Sequence, residues 1–126
     1  MGISPYLQFN GNCAEAIAFY ESAFGIKAEV YKKGDAFITH AELVFGDGYI
    51  GLSDTPPEEE NSTFGNGGIS ISVSLAGVDE VKAVCEKLSA GGQIFQHPEA
   101  TEWCECFCTL EDKFGVSWSL MRGVDE

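Results

Sequence analysis

Apolar positions along this chain fall into two successions that share one order. The first opens with Tyr6-Leu7-Gln8-Phe9, an apolar run long enough for one short strand. Asn12 and Glu15 then have the spacing of a capping box. Cys13, Ile17, Tyr20 and Phe24 recur at helical intervals up to Gly25, which can close a helix. Ala28–Lys32, Phe37–Phe45 and Tyr49–Ser53 read as strands, the last two joined by a tight turn at Gly46-Asp47-Gly48. The second succession begins at Ile69–Leu75, where apolar residues alternate with serine as in a half-buried strand. Val81, Val84, Cys85 and Leu88 form a helical stripe that Gly91-Gly92 ends. Gln93–Gln96, Glu102–Leu110 and Val116–Met121 follow as strands.

Between the two lies Asp54–Gly68, which combines Pro56-Pro57, Glu58-Glu59-Glu60 and Gly65-Asn66-Gly67-Gly68. Proline, like charge and glycine together mark a solvated linker. Its glycine-rich end does not stand between a strand and a helix, so it reads as loop rather than as a nucleotide-binding turn. A shift of 64 residues lays Ile17 on Val81, Tyr20 on Val84 and Phe24 on Leu88, and the final hairpins correspond a few residues out of step. The pattern is a duplication. The expected fold is α+β, with two tandem βαβββ modules forming a curved mixed sheet. It makes one domain over residues 1–126, with halves at about 1–62 and 63–126. One face of each sheet carries a helix, and the other is free to enclose a ligand.

Composition narrows the partners. A chain of 126 residues with 44% hydrophobic and 21% charged positions has globular proportions. No apolar run approaches the roughly 20 residues of a membrane span. The net charge of −13 opposes nucleic-acid binding, which needs clustered Lys and Arg. The start, Met1-Gly2-Ile3-Ser4-Pro5, lacks the basic and apolar regions of a secretory signal, and an odd cysteine count of five favours free thiols. A cytoplasmic location is expected.

Two groups of residues carry candidate chemistry. His40 and Glu42 lie two apart on a strand and so share one face. They read either as an imidazole and carboxylate for acid–base work or as a polar strand face with a hydrogen-bonded histidine. Cys104, Cys106 and Cys108 put three sulfurs on one strand face, opposite Trp103, Glu105, Phe107 and Thr109. Three thiolates could bind a soft metal, but known thiolate sites draw ligands from turns, and compact buried filler is the plainer account. Glu58–Glu60 reads as solvated linker, and His97, beside Pro98, as a surface residue.

The order of motifs resembles the vicinal oxygen chelate superfamily of glyoxalases, bleomycin-resistance proteins and dioxygenases, and within it the PhnB-like group. The resemblance rests on Pro5-Tyr6-Leu7-Gln8-Phe9-Asn10-Gly11-Asn12-Cys13, Ala16-Ile17-Ala18-Phe19-Tyr20, Ile38-Thr39-His40-Ala41 and Leu52-Ser53-Asp54. Trp103 and Asp112-Lys113-Phe114-Gly115-Val116-Ser117-Trp118 extend it over nearly the whole chain. It implies that Leu7, Phe9, His40, Tyr49, Gly51, Ser53, Ser117, Ser119 and Met121 face a ligand cup. It also implies a homodimer. Metal-dependent members hold a divalent ion with four side chains. Those positions fall here on Pro5, on residues 68–71, on Gly51 and on Ser119, which offer almost no donors. The expectation is therefore a small-molecule-binding protein without metal or cofactor. Two alternatives stay open: a metal-dependent lyase, isomerase or dioxygenase using His40, Glu42 or the cysteines, and a non-catalytic dimer without ligand.

Overall fold

A computed structural model of the chain describes residues 2–33, 38–55 and 68–122. It divides into two compact units, Met1–Thr63 and Phe64–Glu126. Of the linker expected over Asp54–Gly68, residues 56–67 with Glu58-Glu59-Glu60 lie outside the described residues, as does the strand start expected at Phe37.

In the first unit, β1 (Tyr6–Phe9), α1 (Cys13–Phe24), β2 (Ala28–Lys33), β3 (Ile38–Phe45) and β4 (Gly48–Asp54) form one sheet in the order β1-β4-β3-β2. Strands β1 and β4 run parallel, so α1 is the crossover that returns the chain. The helix packs against β3 and β4, burying Cys13, Ala16, Ile17, Tyr20 and Ala23. Its strand partners share one parity. Leu7 is level with Leu52 and Ala41 with Leu52, while Leu43 is level with Ile50, and all five are buried. Phe45, of the same parity, meets Phe24 edge-on at 5.0 Å between ring centres. Gly25 closes the helix in the left-handed conformation at φ 70°, its N–H reaching Glu21 O at 2.9 Å.

The helix start differs from the expected capping box. Asn12 stands at the cap but makes no side-chain hydrogen bond to the helix. Asp54, at the end of β4, does that work. Its Oδ1 accepts from the N–H groups of Gly11 (3.0 Å) and Cys13 (2.9 Å), and its Oδ2 accepts from Ile38 N–H at 2.9 Å. A buried carboxylate at the positive end of a helix is stabilising, and here it also ties β3 and β4 to α1. Asp54 thus belongs to the sheet rather than to a linker.

The second unit repeats the plan. Its elements are β5 (Ile71–Leu75), α2 (Val78–Leu88), β6 (Gln93–Glu99), β7 (Cys106–Glu111) and β8 (Ser117–Arg122), with sheet order β5-β8-β7-β6 and β5 parallel to β8. Val81, Val84, Cys85 and Leu88 turn inward from α2, facing a strand layer that includes Trp118, Leu120, Leu110 and Cys108. Glu80 Oε1 reaches back to Ala76 N–H at 2.9 Å, which steadies the start of α2. Strand β7 begins four residues later than its apolar alternation predicts. Thr101 Oγ1 accepts from Cys104 N–H at 3.1 Å, and Thr101 N–H donates to Cys104 O at 3.0 Å, so the segment closes on itself before it can pair. In the β7–β8 loop Asp112 is the organiser: Oδ1 accepts from Phe114 N–H (2.9 Å) and Val116 N–H (3.0 Å), and Oδ2 accepts from Trp118 Nε1 (2.8 Å).

Candidate functional site

With one face of each sheet under its helix, chemistry has to be sought on the other. In the first unit that face is built by register. Tyr6 is level with Gly51 and Gly51 with Glu42, so the three side-chain positions stand in one row across β1, β4 and β3. His40, two residues before Glu42, joins them. The sequence reading brought His40 and Glu42 together, and the structure does so too: His40 Nε2 lies 3.1 Å from Glu42 Oε2. Tyr6 is the addition. Its hydroxyl lies 3.0 Å from His40 Nδ1, and its ring stacks beside the imidazole with 20° between planes. Both ring nitrogens of His40 are therefore bonded, one to a phenol and one to a carboxylate.

Gly51 explains why Tyr6 can lie there. A Cβ at this position would come within 2.5 Å of Tyr6 Cδ2 and 2.7 Å of Cε2. Only a residue without a side chain lets the phenol ring rest on the strand. The sequence carried a signal for this, since a glycine inside an otherwise apolar strand marks a close approach. A second tyrosine flanks the group. Tyr31 has its ring centre 5.7 Å from that of His40, and its hydroxyl donates to Glu29 Oε2 at 2.6 Å. That bond to the carboxylate holds the Tyr31 phenol pushed up to about 12, so it stays protonated.

Other expected site residues divide by parity. Leu7 and Phe9, expected to face a ligand, sit instead on the helix-covered side, with 7% and 2% of their surface exposed. The reason is the two-residue period. Once Tyr6 is level with Gly51, its neighbours Leu7 and Phe9 must point the other way. Tyr49, Gly51 and Ser53 share the helix-free parity. Tyr49 is exposed, and Ser53 is buried.

In the second unit the helix-free row is Ser72, Ser119 and Thr109, with Met121 and Phe107 beside it. Ser70 Oγ and Ser119 Oγ are 3.2 Å apart, and a cleft of about 230 Å³ opens among Ser70, Phe95, Thr109, Ser117 and Ser119. It offers hydroxyl groups and one aromatic wall. His97 is exposed and lines a different groove, between α2 and β6.

The cysteines lie away from both rows. Cys13, Cys85, Cys104, Cys106 and Cys108 are all reduced and buried. Burial pushes the Cys13 thiol up to about 12, helped by the Asp54 charge, and pushes Cys106 up as well. Cys104 Sγ is directed at Cys106 O at 3.4 Å. Among the described residues no group of three or more His, Cys, Asp or Glu side chains is placed to hold a metal ion.

A family model for the Glyoxalase/Bleomycin resistance protein/Dioxygenase superfamily matches residues 2–120. The chain belongs to that superfamily. Protein YjdN of Escherichia coli (strain K12) is 30% identical, over 95% of this chain and 94% of that protein. The crystal structure of PA1353 from Pseudomonas aeruginosa is also 30% identical, covers 99% of both chains and superposes with a TM-score of 0.83. A PhnB protein from Bacillus cereus is 25% identical over 96% of this chain and 98% of its own, with a TM-score of 0.74.

The positions onto which the resemblance carries metal ligands include Pro5, Gly51 and Ser119. Gly51 has no donor, and the Tyr6 ring fills the space a donor side chain would need. Pro5 has none, and register sets Tyr6 rather than Pro5 level with Gly51. Ser119 keeps a single hydroxyl, shared with Ser70.

Proposed function

We propose that this superfamily member binds a small organic molecule on the helix-free face of its first half, without a divalent metal. The observation that supports the reading is the row Tyr6–His40–Glu42. It is a bonded set of polar side chains on a face with aromatic walls, where Tyr6 stays half exposed, and His40 and Glu42 partly so. A histidine held at both nitrogens keeps its ring in one orientation, as a binding or acid–base residue requires. Tyr49 and Ser53 extend the same face, and the second half has a helix-free face of its own, with Ser117, Ser119 and Met121. A homodimer belongs to this reading, and sedimentation at micromolar concentration checks it.

Thermal-shift screening against small metabolites, run with and without chelator, tests the proposal. Ligands should raise the melting temperature equally in both conditions, and His40→Ala should remove most of the shift. Stoichiometric zinc, nickel or iron in protein purified without chelator, or ligand binding untouched by His40→Ala, would overturn it.

A further inference from the structure

The row has a direction. A carboxylate can only accept hydrogen bonds, so Glu42 Oε2 at 3.1 Å requires a proton on His40 Nε2. In the neutral ring that leaves Nδ1 as the acceptor, and the Tyr6 hydroxyl, 3.0 Å away, must donate to it. The only proton of Tyr6 is then committed inward. Toward solvent its oxygen presents lone pairs alone, on a residue that is 50% exposed. Tyr31, a second phenol beside His40, gives its proton to Glu29. Of the charged residues at this level, the carboxylates Glu29 and Glu42 accept only, register sets Lys32 level with His40, and β4 adds Gly51, without a side chain. The walls are flat: Tyr6 lies on Gly51, with the rings of His40 and Tyr31 close by.

We infer that Glu42, acting through His40, makes Tyr6 a one-way hydrogen-bond acceptor, so that the Tyr6 contact selects small planar ligands carrying a hydroxyl or N–H donor. The inference rests on the binding reading above and adds the ligand class and two roles: Tyr6 as the contact, and Glu42 as a positioning residue.

Phenol and anisole test it, because they share a ring and differ in the donor. Binding is followed by nuclear magnetic resonance at about pH 8.5, where an ordinary imidazole is neutral. The phenol-to-anisole affinity ratio in the wild type, divided by that in Tyr6→Phe, cancels their general difference in hydrophobicity. One hydrogen bond should make this quotient about 5 to 10. In Glu42→Gln the amide can donate as well as accept, so the quotient should fall toward 1. Nitrogen-15 shifts of His40 should show a proton on Nε2 in the wild type and a mixture of tautomers in Glu42→Gln.

A quotient near 1 with both probes bound would overturn the selectivity and leave binding intact. A proton on Nδ1 in the free wild-type protein would overturn the relay whatever the probes do. If neither probe moves the Tyr6 or His40 signals, the planar ligand class is wrong, while the metabolite screen decides separately whether this face binds anything.

Discussion

The two halves of this chain have one blueprint and two characters. Register equates Leu52 with Leu120, Ala41 with Cys108, Leu43 with Leu110 and Ile50 with Trp118, and all eight are buried against their helices. On the helix-free side the same register equates Tyr6 with Ser72, Gly51 with Ser119, Glu42 with Thr109 and His40 with Phe107. One side of the sheet keeps its chemistry through duplication, and the other side loses it. Packing explains the first: a strand layer under a helix tolerates little beyond apolar side chains of matching volume. The helix-free side has no such demand, and it is where the halves have become a Tyr–His–Glu row and a hydroxyl cleft. Among the described residues each half also buries one aspartate, but at different places. Asp54 ties a helix start to two strands, whereas Asp112 ties a hairpin loop to Trp118.

Removing those aspartates should have the largest effect on stability. Asp54→Ala leaves three N–H groups without their acceptor and should cost about 3–5 kcal/mol, with Asp112→Ala close behind at about 2–4 kcal/mol. Urea unfolding measures both. Equal loss of α1 and α2 amide protection in both variants would show that the two pins are not separate.

Gly51→Ala and Ser119→Ala sharpen the contrast between the rows. The first should push the Tyr6 ring off its strand and break the bond to His40, for about 1 kcal/mol of stability. Ring signals of Tyr6 and His40 report the displacement. Ser119→Ala, at the equivalent place, removes only a hydroxyl bonded to Ser70 and should cost less than about 1 kcal/mol. A Gly51→Ala protein with unmoved Tyr6 signals would contradict the close approach.

The helix-covered layer should respond weakly to exchange between halves. Cys108→Ala gives the second half the residue its equivalent position already holds, and thermal unfolding should place its cost at about 1 kcal/mol. The smallest effect concerns Cys13, whose thiol is favoured in its neutral form by the fold. Its contribution is complete below about pH 9, the ordinary thiol range. It is lost gradually as pH climbs toward the folded value of about 12. Alkylation of native protein between pH 8 and 9.5, followed by peptide mapping, should therefore leave Cys13 unmodified, at pH values near and above the roughly 8.5 of a free thiol.

What the sequence by itself determined is the duplicated βαβββ order, the α+β class and the helix-covered layer. Those follow from local periodicity: Ile17, Tyr20, Val81, Val84 and Leu88 declare their inward face within two turns of helix. It also paired His40 with Glu42, because two residues apart on a strand is a local relation. Tertiary structure decided everything that depends on which strands lie side by side. The cap of α1 comes from Asp54, 41 residues beyond Cys13, and displaces the local box that Asn12 and Glu15 offered. The face of β1 was set by the register of Tyr6 against Gly51, which turned Leu7 and Phe9 under the helix and brought Tyr6 onto His40. Alternation along a strand fixes which residues go together, but only pairing with a neighbour chooses which set faces the helix and which is left to meet a ligand.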